Sequence, residues 1–316
     1  MWNPNHLIKT YFKRCAALLA CLFLVSACSL IGTLYQNATT LALYEIDSYF
    51  DLSAEQESLG TQRTDALLAW HKREALPLYV KQMRAVAAKA DAGFNANEVN
   101  DLLIWGQGEL RRVVDYATPQ QIELLSSLSD KQLIYFQRKL AKDNAKYRKE
   151  WVDASREDAL ALRFDKLLTS VERIYGSFSS EQKARIRALS DARIFEPKTA
   201  YAERLARQAQ FVALAKSVAL ATDMDAKKDG AKDGTKDGAK DSPNNTAKIS
   251  AAGASTLMTQ FTTSLETSSD YGAQSRKDLC TMLAAVSQIA TPAQRLAAKN
   301  TLLSYANTFE NISRGR

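Results

Sequence analysis

Apolar positions recur along this chain at intervals of three and four residues, and no segment alternates with period two well enough to predict a strand. Residues 38–50 hold Leu41, Leu43, Tyr44, Ile46, Tyr49 and Phe50, the spacing of a helix face. Ser53, with Gln56 three residues on, opens a second helix whose apolar positions are Leu59, Leu67, Leu68 and Trp70. Pro77 lacks an amide donor and crowds the preceding turn, so it predicts a kink or a restart. Gly93 and Asn95 mark a turn, and Leu102, Leu103, Trp105, Leu110, Val113 and Val114 predict the next helix. Thr118-Pro119 reads as a further start, a cap followed by proline at the first helical position. Ser129 opens the longest stripe, through Leu133, Phe136, Leu140, Tyr147 and Trp151 to Leu160, Phe164, Leu167, Val171 and Ile174. With no proline or glycine before Gly176, it predicts one long helix of about 45 residues, or roughly 70 Å. Its polar middle, Lys142 to Lys149, is expected to project or bend. Helices around 180–192 and 200–220 follow.

Residues 223–250 differ in kind. Lys228-Asp229-Gly230-Ala231, Lys232-Asp233-Gly234-Thr235 and Lys236-Asp237-Gly238-Ala239 repeat and then trail off at Lys240-Asp241-Ser242-Pro243. Nothing there can bury apolar surface, so a disordered, nearly neutral linker is expected. A calcium loop would need alternating oxygen ligands and a closing glutamate, and both are missing. Helical spacing resumes with Leu257, Phe261 and Leu265, continues through Leu279, Met282, Leu283 and Val286, and ends with Leu296, Leu302, Leu303 and Phe309. The fold class is therefore all-α: a multi-helix bundle of about nine or ten helices including one long helix.

The N-terminus adds an address. Lys9, Lys13 and Arg14 form a positive start, and an apolar run follows from Cys15 to Val25. That run is well short of the roughly 20 residues that span a bilayer, so it reads as the core of a signal peptide. It ends in Val25-Ser26-Ala27-Cys28, which resembles the bacterial lipobox: an aliphatic residue, two small ones, then the cysteine that is acylated and becomes the new N-terminus. The resemblance implies cleavage before Cys28, lipidation of Cys28 and stable anchoring, since two or more chains hold where one does not. Ser29 stands where lipoproteins kept at the inner membrane typically show Asp, which implies the outer membrane.

Charge and cysteine usage narrow the classes. Three of the 42 basic residues lie in the leader, leaving 39 against 35 acidic ones, a balance of +4. That is too mild for a nucleic-acid binder. Cys15 and Cys21 belong to the leader, so with Cys28 acylated only Cys280 stays free and no intramolecular disulfide is possible.

One short pattern appears five times: Ser53-x-x-Gln56, Thr118-x-x-Gln121, Ser129-x-x-Gln132, Ser179-x-x-Gln182 and Thr291-x-x-Gln294. It is a capping box, in which the hydroxyl bonds the third helical amide and the glutamine reaches back to the cap amide. Leu128 with Leu133, and Ala117 with Ile122, have the spacing of a hydrophobic staple. The repeated caps resemble those of the Spy/CpxP-type periplasmic helical proteins, which implies a chaperone-like or stress-sensing role. A longer resemblance rests on the lipobox, Tyr35-Gln36-Asn37, Asp47 to Leu52 with Gln56, Trp70-His71 and Leu76-Pro77-Leu78-Tyr79. Arg204 to Gln208 and Thr291 to Arg295 fit it too. These segments look like an uncharacterised proteobacterial lipoprotein family, which implies compartment and fold but no activity.

Candidate chemistry is sparse. His71 is the only histidine after the leader, too few for a zinc site, and no Gly-x-Ser-x-Gly elbow accompanies it. It reads as structural. Cys280 lies on an apolar face between Leu279 and Met282 and reads as a buried, inert thiol. Glu55 with Glu57, and Glu157 with Asp158, do not face each other on a helix, so they read as solvated surface. Between Lys131 and Arg207 basic residues exceed acidic ones, including Lys146, Arg148, Lys149, Lys183, Arg185 and Arg187. A solvated helix face explains them; contact with anionic lipid headgroups is the sharper reading.

The expected organisation is a signal peptide over 1–27, a lipid-anchored tether over 28–37, a helical domain over 38–222, the linker over 223–250, and C-terminal helices over 251–316 packing on the same body. The expected role is a non-enzymatic binding or scaffold protein on the periplasmic face of the outer membrane. Its partners would be the membrane, through the lipid on Cys28, and an envelope protein. No cofactor, metal, nucleic acid or small-molecule substrate is legible.

Overall fold

The computed structural model describes residues 31–229, 251–266 and 269–316. Val25, Ser26, Ala27 and Cys28 lie outside the described residues, as does the Lys-Asp-Gly repeat from Gly230 on.

Among the described residues the chain is helical with no strand, as its apolar spacing predicts. Eleven α-helices follow one another: α1 (Ala38–Phe50), α2 (Ala54–Trp70), α3 (Leu76–Lys89), α4 (Ala96–Ser126), α5 (Asp130–Trp151), α6 (Arg156–Tyr175), α7 (Ser180–Asp191), α8 (Pro197–Asp229), α9 (Ala251–Glu266), α10 (Asp270–Ile289) and α11 (Pro292–Ser313). None is long and apolar enough to cross a membrane. Helix α8 continues to Asp229, seven residues beyond 222. Residues 31–36 are also helical, within the segment expected as a tether, and Tyr35 fixes them by a 2.9 Å hydrogen bond to Nδ1 of His71.

Pro77 restarts the helix as expected, and a π-helical turn over His71–Ala75 makes the joint. The Leu76 amide bonds the carbonyl five residues back, at His71, immediately before the proline that can donate nothing. Gly93 adopts φ 75° and Asn95 caps α4, so the predicted turn is present.

Two expectations are overturned. The single long helix over 129–175 is two helices, broken between Trp151 and Arg156. No proline or glycine is needed for the break. Ser155 accepts a bond from the Asp158 amide and starts a new helix, while the Val152 and Asp153 amides both close on the Arg148 carbonyl. A Ser-x-x-Asp cap was thus legible at Ser155. Conversely, Thr118-Pro119 starts nothing and lies inside α4. The Thr118 hydroxyl instead bonds back to the Val114 carbonyl at 2.9 Å. Packing of α4 against α2, α8, α9 and α10 outweighs the local cost of a proline, about 3 kcal/mol.

The other four capping boxes form, together with one at Asn95 and Glu98. They then pair. Gln56 and Gln132 face each other across the N-termini of α2 and α5, with Gln132 Nε2 donating to Gln56 Oε1 at 2.6 Å. Gln56 Nε2 donates to the Ser127 carbonyl at 2.9 Å, and Gln132 Nε2 to the Asp51 carbonyl at 3.0 Å. Each acceptor lies two residues before the other helix's cap. The N-termini of α7 and α11 repeat this arrangement: Gln182 Nε2 donates to Gln294 Oε1 at 2.8 Å and to the Ile289 carbonyl at 3.0 Å, and Gln294 Nε2 to the Ser177 carbonyl at 2.8 Å. The staple expected at Leu128 and Leu133 is seated in a core cluster with Leu214, Val218 and Met258. The second pair adjoins a cluster of Val171, Phe178, Ile186, Val286 and Ala290.

Gln56 is only 7% exposed, so truncating it strands buried donors and acceptors. Gln56→Ala should destabilise the fold by about 2 kcal/mol, and a cycle with Gln132→Ala should show coupling of roughly 1 kcal/mol. The cycle of Gln56→Ala with Gln182→Ala should be additive within about 0.5 kcal/mol. Denaturant titration of the three single and two double variants measures this, and additivity in the first cycle would remove the pairing.

Candidate functional site

Helix α6 shows the site most directly. Its apolar stripe, expected from the sequence, runs Leu167, Val171 and Ile174, and towards the N-terminus the same cavity is bordered by Lys166, next to Leu167, and by Arg163, one turn before it. Arg163 to Ile174 is eleven steps, about 16 Å at 1.5 Å per residue. The α6 border of the cavity therefore passes from cationic to apolar along its length.

The apolar end opens into a cavity of about 830 Å³ between five helices. Val86 of α3, Leu102 and Trp105 of α4, Leu283 of α10 and Leu302 of α11 line it opposite α6. Arg163, Lys166 and Arg193 also border a second cavity, of about 680 Å³. The two cavities thus share a cationic border. The second is polar and aromatic. Lys139, Lys146 and Arg204 add to its positive charge, against Glu45, Asp143 and Glu150, and Tyr147, Trp151 and Phe195 supply ring faces.

The border is built with care for position and little for neutralisation. Arg163 donates from Nη1 to the Ile194 carbonyl at 3.2 Å and from Nη2 to the Ser190 carbonyl at 2.5 Å, which fixes the connection carrying Arg193. The Ile194 amide adds a bond to Asp278 at 2.8 Å. Phe195 lies under Arg163 at 4.7 Å, and Trp151 under Lys166 at the same distance. Burial pushes both guanidiniums below their ordinary pKa, and the charge of Arg193 adds to the effect at Arg163. The Nε of each arginine is buried without a hydrogen-bond partner.

Of the sequence candidates, Lys146 alone lies at this site. Arg148, Lys183 and Arg187 are taken up in ion pairs with Asp153, Glu172 and Asp191. Lys149 and Arg185 are exposed. The cations that matter, Arg163, Lys166, Arg193 and Arg204, all fall inside the basic stretch read from the sequence. Nothing in their local spacing singles them out.

His71 lies elsewhere, in the π turn, stacked on Tyr35 at 5.9 Å and edge-on to Tyr79 at 5.4 Å. Cys280 is buried at 4% exposure, and burial raises its thiol pKa, which fits the inert reading. Glu55, Glu57, Glu157 and Asp158 are exposed. Among the described residues no group of three or more His, Cys, Asp or Glu side chains is placed to hold a metal.

Residues 48–221 match the family described as "Family of unknown function (DUF6279)". The chain belongs to this family. No curated protein and no solved structure matches it. The DUF6279 region contains Arg163, Lys166 and Arg193 together with α4 and α6; the facing wall from α10 and α11 lies beyond it. Tyr35 to Asn37 and Thr291 to Arg295, quoted for the wider resemblance, also lie outside the match.

Burial of His71 disfavours its imidazolium and lowers its pKa from the ordinary 6.5. The unfolded chain then binds more protons below that pH, so the stability His71 contributes above pH 6.5 is lost as pH falls. Denaturation measured from about pH 7.5 down to about 5 should show a steeper loss for the wild type than for His71→Gln. Parallel slopes would assign the loss to other groups.

Proposed function

We propose that this DUF6279 protein is a non-enzymatic binding protein of the cell envelope, anchored by acyl chains on Cys28 to the periplasmic face of the outer membrane. The observation behind the binding role is the pair of cavities meeting at Arg163, Lys166 and Arg193. Sites of several hundred Å³, mostly apolar and with a few convergent polar groups, are the usual form of small-ligand pockets. The anchoring rests on Val25-Ser26-Ala27-Cys28. Cys28 is three residues before Ile31, the first described residue, so at most about 11 Å of chain separates the anchor from the described body. A protein held so closely samples the bilayer surface continuously.

The chaperone-like alternative rested on the repeated caps. Their glutamines are consumed in the two reciprocal pairs that join helices, so the caps describe architecture and give that alternative no separate support.

Two measurements test the reading. Cys28→Ser should leave an unlipidated and mislocalised precursor, and unchanged membrane fractionation would remove the anchor. Solvent extraction of the purified protein should release a bound small molecule. Ile174→Trp, which narrows the apolar cavity, should retain less of that molecule while keeping the helical spectrum and thermal midpoint. Release of nothing from the wild type, or equal release from the variant, would remove the cavity as the working site.

A further inference from the structure

The reading of the two cavities as a binding site leaves the ligand open, and the following rests on that reading. We propose that the ligand is an anionic amphiphile: an alkyl-chain lipid whose phosphate or carboxylate head lies against Arg163, Lys166 and Arg193 and whose tail fills the apolar cavity. The division of the site dictates the division of the ligand. Along α6 the cations come first and Leu167, Val171 and Ile174 follow on the border of the same cavity. The helices opposite continue the apolar wall with Leu102, Leu283 and Leu302. A ligand polar throughout would leave its groups unpaired there, at a cost that excludes sugars and nucleosides.

The sign of the head follows from what the local charges already do. In the polar cavity Asp143 accepts from the Tyr49 hydroxyl at 2.9 Å and pairs with Lys139 at 3.4 Å, and Glu150 stands 4.0 Å from Lys146. Glu45 is the third carboxylate there. On the apolar cavity Glu98 is taken up by Lys89 at 2.9 Å, and Asp101 is the other acid. None of these forms an ion pair with the cations of the border, and the two carboxylates whose charges do act on it, Asp191 on Arg163 and Asp278 on Arg193, are bonded to Arg187 and to the Ile194 amide and Gln274. The Arg193 guanidinium makes no hydrogen bond or ion pair among the described residues, and Lys166 meets only the Trp151 ring. The partly desolvated guanidiniums of Arg163 and Arg193 repel one another, the exposed ammonium of Lys166 borders the same space, and a bound anion offsets that repulsion. Arginine forks match carboxylate and phosphate oxygens in pairs, and partial burial strengthens the attraction.

Arg193 makes no native bond through its side chain and Lys166 is exposed, so both can be neutralised without breaking the fold. The test is calorimetric titration of the Cys28→Ser chain made without the leader over 1–27, with four probes. Dodecyl phosphate should bind at one site. Octyl phosphate, four methylenes shorter, should bind on the order of a hundredfold more weakly, since each buried methylene is worth roughly fourfold. Dodecyl maltoside and inorganic phosphate should each bind at least tenfold more weakly than dodecyl phosphate. Arg193→Gln with Lys166→Gln should weaken dodecyl phosphate at least tenfold and leave dodecyl maltoside unchanged. Ile174→Trp should weaken both alkyl ligands.

Equal binding of dodecyl maltoside and dodecyl phosphate would overturn the anionic head. Equal binding of inorganic and dodecyl phosphate would overturn the tail and leave a simple anion site. A folded protein that binds none of the four overturns the amphiphile. If solvent extraction still yields a molecule depleted in Ile174→Trp, the cavity remains a binding site for a different class.

Discussion

A helix begins with amides that have no partner inside it, and this protein resolves that problem in pairs. Gln56 and Gln132, then Gln182 and Gln294, each satisfy their own cap and at the same time bond the other glutamine and the carbonyl two residues before the other cap. A local device thereby becomes a long-range one, joining positions 76 and 112 residues apart. The two joints have apolar neighbours. Leu128 packs in the cluster with Leu214 and Met258, and Phe178 and Ala290 in the cluster with Val171, Ile186 and Val286. Gln56 is the buried member of the first joint, and in such surroundings an unmade bond is costly.

The candidate site depends on the second joint. Val171 and Val286 belong to the cluster beside Gln182 and Gln294 and also form part of the apolar cavity wall. Fixing the starts of α7 and α11 fixes Phe178 and Ala290, and through them the depth of the cavity. Arg163 performs the equivalent task at the mouth, holding the Ser190 and Ile194 carbonyls so that Arg193 stands beside it. Two like charges kept together against desolvation are a local cost, and such costs collect where a protein meets a ligand.

The remaining polar contacts secure helices distant in the chain. Asn144, 8% exposed, is bonded by Arg204 at 2.8 Å and bonds Gln208 at 2.6 Å, tying α5 to α8. Ser287, fully buried on α10, accepts from the Phe94 amide at 2.8 Å and holds the turn at Gly93 in place. A side chain at Gly93 would meet Gln288 at 2.7 Å. The left-handed conformation of this turn requires glycine, whereas the Gln288 amide is the far end of a flexible side chain and can give way.

Fold class, most helix limits and four of the five capping boxes were legible in the chain, because helical periodicity and cap chemistry act within a few residues. Ser155 was equally local evidence for the break after Trp151, overshadowed by the continuous stripe on either side. Thr118-Pro119 was not decidable locally: cap and proline were both present, and only packing on four other helices kept α4 unbroken. The glutamine pairs and the cationic border belong wholly to tertiary structure. The caps show no preference for one another along the sequence, and Arg163, Lys166 and Arg193 look like any other residues of a basic stretch. What selects them is the three-dimensional neighbourhood, which decides which charges are desolvated, which go unpaired and which border an apolar cavity.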